Sequence, residues 1–138
     1  MSSGKNKPVD HEARQRAISD LDTSFCLEAG AGTGKTTILV ERFLSILRGG
    51  RAECTAVAAI TFTEKAASEM KDRLFGRIEE LLESNDLPGE ERTRLETARD
   101  DLERAQISTI HAFAAAILRE FPLEAGIDPD FQQLDAFD

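Results

Sequence analysis

Apolar positions along this chain fall into helical stripes separated by short apolar runs. Val9 to Asp20 carries Ala13, Ala17 and Leu21 on one face, with Asp10 placed to cap the helix. Ser24–Glu28 (SFCLE) predicts a short strand. Thr36–Leu47 sets Leu39, Val40, Phe43, Leu44 and Leu47 three and four apart, the spacing of a buried helical face, and Gly49-Gly50 stops it. Ala56–Phe62 (AVAAITF) is continuously apolar, as a parallel strand covered on both faces would be. Thr63 can then cap a helix to about Ser84, whose stripe is Ala67, Met70, Leu74, Ile78 and Leu81. Asn85–Gly89 is a turn, and Pro88 stands near the start of the next helix, which carries Leu95, Ala98, Leu102 and Ala105. Gln106–Ile110 is a third strand. His111–Phe121 is a helix with Phe113, Ile117, Leu118 and Phe121 inward, ended by Pro122.

The order is helix, strand, helix, strand, helix pair, strand, helix. Strands alternating with helices imply an α/β fold with a parallel sheet flanked by helices, and the helix pair forms an antiparallel hairpin. Residues 1–8 are small and polar and read as a flexible leader; residues 9–138 are read as one domain.

Charge changes this picture only locally. The 138 residues hold 26 acids and 17 bases, a net charge of −9. Residues 79–103 account for −7 of it, with ten acids against Arg92, Arg94 and Arg99. The remainder is −2, so a nucleic-acid surface elsewhere is compatible with the total. The acid run is the solvated outer face of the hairpin. No apolar run approaches the ~20 residues of a membrane span, and the N-terminus lacks the apolar core of a secretory signal. Cys26 and Cys54 form no CxxC pair and read as reduced thiols of a cytoplasmic protein, Cys26 in the core.

The candidate chemistry begins at Ala29-Gly30-Ala31-Gly32-Thr33-Gly34-Lys35-Thr36. It is a phosphate-loop pattern with Ala29 in place of the usual first glycine, set between a predicted strand and an amphipathic helix. Gly32 and Gly34 let backbone N–H groups approach phosphate oxygens. The start of the following helix adds its dipole and free donors. Lys35 sets a cation against the β- and γ-phosphates, and the Thr36 hydroxyl is a hard ligand for Mg2+. Ala29 to Thr36, with Thr37 beside them, are the candidate ATP-binding residues; Lys35 and Thr36 are the candidate catalytic pair. Kinases, GTPases, transporters and helicases all use this loop, so it does not by itself fix a reaction.

Two further segments narrow the choice. Ala29–Thr36 (AGAGTGKT), Ala59–Arg73 (AITFTEKAASEMKDR) and Ile107–Phe113 (ISTIHAF) together resemble the N-terminal motor domain of UvrD/Rep-like superfamily 1 DNA helicases. IHAF followed by ILREFPLEAGIDPDF is similar to the AddA/RecB helicase–nuclease branch. The resemblance implies a partial RecA-like phosphate-loop NTPase domain, ATP and Mg2+ as cofactors, single-stranded and duplex DNA as partners, and a second subunit in a helicase–nuclease complex working in recombination and repair. It places Thr61, Phe62, Thr63 and Lys65, then Thr109, His111 and Phe113, along the DNA path. An aromatic face can stack on a base, and Thr, Lys and helix N-termini can hold phosphate oxygens. Each also has a plainer role: Phe113 in core packing, Thr63 as a cap, Lys65 on a helix surface, His111 as a satisfied histidine.

Two departures from the family pattern bear on function. The adenine-reading Gln before the phosphate loop is replaced by Arg14, with Gln15 beside it, and Ala112 stands where Ser is common. No apolar strand ends in the Asp-Glu pair that the family uses for hydrolysis; Glu64 opens the helix after AVAAITFT as a first-turn acid. The chain is therefore expected to be part of a longer motor and inactive by itself. The alternatives left open are a non-catalytic nucleotide- or nucleic-acid-binding module and an unrelated phosphate-loop ATPase or kinase.

Overall fold

The computed structural model describes residues 10–28 and 34–134. The readings for the leader and for Ala29, Gly30, Ala31, Gly32 and Thr33 lie outside the described residues. The elements are α1 (His11–Ser19), α2 (Lys35–Arg48), β1 (Ala58–Thr61), α3 (Glu64–Glu83), α4 (Gly89–Asp101), β2 (Gln106–Thr109), α5 (Ile110–Glu120) and the single turn α6 (Pro122–Ala125), with 3-10 turns at Cys54–Ala56 and Leu102–Arg104.

The helical hairpin forms as its periodicity predicts. The Thr63 hydroxyl accepts from Ala66 N–H at 3.1 Å and caps α3. At the other end, Arg92 of α4 donates to the carbonyls of Leu82 and Ser84, both at 2.7 Å, and closes the turn between the helices. Leu74, Ile78 and Leu95 are fully buried between them, together with Leu44 of α2. The core is thus a three-helix cluster of α2, α3 and α4, extended by Cys54, Ala105 and Ile107. Burial of these side chains stabilises the fold by ~1.5–3 kcal/mol for each large aliphatic residue. The acids of the hairpin lie on its outer side, where Glu80, Glu83, Glu90, Glu96 and Asp100 are exposed.

β1 and β2 pair in parallel, Ala58 opposite Gln106 through Thr61 opposite Thr109, with α3 and α4 forming the crossover. Among the described residues the sheet has these two strands rather than three. Ser24–Glu28 is not a strand, because a strand exists only by pairing and nothing described pairs with it. Its aromatic residue is satisfied otherwise: the Phe25 ring lies 5.7 Å from the Arg16 guanidinium and 5.4 Å from that of Arg42. Cys26 is exposed, not core; the buried thiol is Cys54.

Three predicted apolar faces are also covered less than the pattern implied. β1 packs Ala59 on the core while Ala58 and Ile60 are exposed, so one face of the strand, not both, meets helices. On α2, Leu39 is 49% exposed and Ile38 is buried. Ile38 shares its face with Arg42, one turn later, and that face meets α1. On α5 only Ala115 is buried; Ile117, Leu118 and Phe121 are exposed and Phe113 is half-buried, because the two-stranded sheet is too narrow to cover the helix.

Candidate functional site

The start of α2 carries the described part of the candidate phosphate loop. Gly34 is its N-cap at φ +87°, a left-handed conformation that favours glycine, and the first turn holds no acid. Lys35 is exposed at the first helical position, Thr36 is half-buried and Thr37 is exposed. The Thr36 hydroxyl belongs to the hard-oxygen donor class that suits Mg2+ beside a phosphate.

α1 is held against this end of α2 by Arg42, a residue that the apolar pattern alone does not single out. Its Nη1 donates to the carbonyls of Ala17 at 2.7 Å and Asp20 at 2.8 Å, and Nη2 to that of Thr23 at 3.2 Å. The signal is a cation within the apolar run ILVERFL, four residues after Ile38, which needs acceptors on the face it shares. Arg14, on α1, is thereby carried to the α2 start. Its Nε donates to Asp10 Oδ2 at 2.7 Å, and that hydrogen bond holds the Asp10 carboxyl below its ordinary range. Gln15 is exposed beside it.

A second pair that the periodicity does not reveal joins α2 to α3. Arg77 Nε lies 2.7 Å from Glu41 Oε1 and Arg77 Nη1 lies 2.5 Å from Glu80 Oε2. The two carboxylates push the Arg77 guanidinium further up, Glu41 contributing more. The helix that carries Lys35 and Thr36 is thus tied to the helix that begins beside the strand ends.

Those strand ends gather the remaining candidates. Thr61 and Thr109 are opposite each other; α5 starts directly after Thr109, and α3 starts at Glu64, after Phe62 and Thr63. Phe62 is 99% exposed. Lys65 is exposed, 3.9 Å from Glu69 Oε1. His111 is exposed on the first turn of α5, its carbonyl accepting from Gln133 Nε2 at 2.8 Å. The other hydroxyls are occupied. Thr61 Oγ1 donates to the Thr63 carbonyl at 3.0 Å, Thr63 caps α3, and Thr109 caps α5 through Ala112 N–H at 3.2 Å. Thr109 is buried and lies 3.5 Å from Glu64 Oε1, which makes Glu64 a first-turn partner of that threonine. Among the described residues no helix is long and apolar enough to cross a membrane.

Comparison with known proteins bears on the family of the chain. The chain is 37% identical over 122 residues to an ATP-dependent helicase/nuclease subunit from Ligilactobacillus salivarius, covering 88% of this chain and 10% of that protein. It is 36% identical over 127 residues to the protein of the same name from Lactobacillus acidophilus, covering 92% of this chain and 10% of that protein. A third, from Syntrophomonas wolfei, is 34% identical over 123 residues, covering 89% of this chain and 10% of that protein. The chain therefore spans about a tenth of the length of the curated relatives it matches. Residues 10–138 match the UvrD/REP helicase N-terminal domain, and the chain belongs to that family.

Proposed function

We propose that this chain is the nucleotide-binding part of an ATP-driven DNA helicase, supplying a phosphate cradle and one side of a single-stranded DNA path. The observation that carries it is the left-handed Gly34 directly ahead of Lys35 on an α2 start free of acids. Backbone donors there take the phosphate oxygens of ATP, Lys35 neutralises their charge, and Thr36 is the residue that would hold Mg2+. When bound, Mg2+ would offset charge on the β- and γ-phosphates.

The DNA role is supported by exposed Phe62, Lys65 and His111 at the carboxyl ends of two parallel strands, where open α/β sheets bind ligands. The relatives' name, which makes each of them one subunit of a helicase/nuclease, supports work in DNA repair or recombination beside a second subunit. β1 and β2 end in threonines, and Glu64 is engaged with Thr109, so the 138-residue chain alone binds nucleotide without turning it over.

Calorimetry with Mg·ADP tests the cradle. Lys35→Ala removes a charge-assisted phosphate contact of ~1.5–3 kcal/mol and lowers affinity at least about tenfold. Equal affinity in wild type and variant rejects the assignment.

A further inference from the structure

The chain after α6 runs back along α5 and is fastened to it at both ends. Gly126 turns it: at φ +66° it closes α6, and the next N–H, that of Ile127, donates to the Pro122 carbonyl at 3.1 Å. Asp128 holds the following turn. Its carboxylate accepts from Asp130 N–H at 2.9 Å and its carbonyl from Phe131 N–H at 3.1 Å. The reversal is thus encoded locally and needs no distant partner. Beyond it, the Arg119 guanidinium lies 4.7 Å from the centre of the Phe131 ring, and Nη2 donates to the Phe131 carbonyl at 3.4 Å. Two residues on, Gln133 Nε2 donates to the His111 carbonyl at 2.8 Å. Arg119 belongs to the last turn of α5 and His111 to the first, about 12 Å away along the axis. The returning segment therefore spans the helix from its end to its start and arrives at the strand-end edge.

His111 is exposed at that edge, as Phe62 and Lys65 are, on a helical turn whose N-terminus is capped by Thr109. A backbone carbonyl has two lone pairs, so Gln133 grips this turn without displacing a helical hydrogen bond. We propose that Gln133 is a positioning residue for single-stranded DNA: the returning segment holds the first turn of α5 so that the His111 ring is already in place when it meets the strand. Ordering a contact before binding lowers the entropy lost on binding. Gln133 acts through the helix and need not touch the DNA. The proposal rests on the reading of the strand ends as a DNA path, and the experiment separates the two.

Anisotropy of a labelled oligonucleotide at low salt is measured with the 138-residue chain as wild type, Gln133→Met, His111→Ala, Lys65→Ala and the double variants that join Gln133→Met to each of the other two. Methionine keeps the length of the side chain, adds no charge and cannot donate. Gln133→Met is expected to weaken binding about threefold, the lower range for one neutral hydrogen bond. It has the same effect beside Lys65→Ala but none beside His111→Ala, because the turn it loosens then carries no ring. Thermal melts of Gln133→Met match wild type, since the side chain is exposed. An equal loss in the His111→Ala background overturns the proposal, because Gln133 then acts on the chain at large. Wild-type affinity in Gln133→Met, with weaker binding in His111→Ala, overturns it while leaving the DNA path standing. Wild-type affinity in His111→Ala, with weaker binding in Lys65→Ala, also overturns it and keeps the path without His111. No binding by wild type removes the path and this proposal together.

Discussion

Thr61 and Thr109 are register partners across the parallel pair, and each is the last residue of its strand. Helices α3 and α5 therefore start side by side, capped by Thr63 and Thr109. Two helix N-termini, with their unpaired donors and positive dipole ends, share one edge of the sheet. The edge has an occupied layer of threonine hydroxyls and an outer layer of exposed Phe62, Lys65 and His111.

That layering separates two kinds of substitution. Thr109→Ala loses the α5 cap and lowers stability by ~1 kcal/mol, with little change in affinity for single-stranded DNA. Phe62→Ala, at a side chain touching nothing, leaves stability within ~0.5 kcal/mol but weakens DNA binding by ~1–3 kcal/mol, the value of one stacked base. Urea melts and anisotropy with a labelled oligonucleotide read the two effects. A Phe62→Ala chain that binds DNA like wild type removes the aromatic from the path.

Arg42 is the fastening of α1. Its removal leaves three carbonyls without their charged donor, a loss of ~1.5–3 kcal/mol for hydrogen bonds to a charged group. In Arg42→Ala the amides of α1 are expected to exchange with solvent faster than those of α3 and α4, whose packing is unchanged. Arg42→Lys does not rescue them, because an ammonium cannot span acceptors on three residues as the fork does. Protection of α1 equal to wild type would place its anchor elsewhere, in Ala17 and Ile38.

Legibility in the sequence followed the range of the interactions. The hairpin and its cap were readable, since Met70, Leu74 and Ile78 repeat at helical spacing and Thr63 stands directly before them. The start of α2 was readable because Gly34 stands where the chain enters the helix in a left-handed conformation. The strand expected at Ser24–Glu28 failed because pairing is non-local; a five-residue apolar run records the propensity and not the neighbour. The inward face expected on α5 failed for the same reason, since Ile117 and Phe121 need a wider sheet beneath them. The placement of Arg14 against Gly34 could not be read, because it depends on Arg42 docking α1 from 25 residues beyond Ala17.

The two thiols are expected to react at very different rates. Cys26 is exposed, whereas Cys54 is buried, and burial raises its pKa, with the Asp101 carboxylate adding to the rise. A thiol whose pKa is higher folded than unfolded favours the folded state at low pH, and that contribution disappears as pH rises through the folded value. Iodoacetamide at about pH 8, near the ordinary thiol pKa, therefore modifies Cys26 first, with Cys54 following only on unfolding. Raising the pH above the ordinary thiol range lowers thermal stability, and Cys54→Ser, followed by melts over the same range, shows how much of that fall comes from this thiol. Equal labelling rates for Cys26 and Cys54 in the native chain would contradict the burial.

Single-stranded DNA binding is expected to be weak and to respond little to the acidic hairpin, despite the net charge of −9. α3 runs from Glu64, beside the strand ends, to Glu83 at the tip; 19 helical steps separate them by about 28 Å. That is several times the ~8 Å Debye length at physiological salt, so the tip acids are screened from a strand lying over Phe62 and Lys65. Few phosphates are neutralised there. With ~1–2 contacts at ~0.7 per phosphate, the logarithm of affinity falls with the logarithm of salt at a slope of only about −1. Glu83→Lys should leave that slope unchanged, whereas Lys65→Ala should flatten it and weaken binding. Anisotropy titrations at several salt concentrations distinguish the two. A steeper slope in Glu83→Lys would mean that the strand crosses the hairpin tip, and Phe62 and Lys65 would then no longer mark its route.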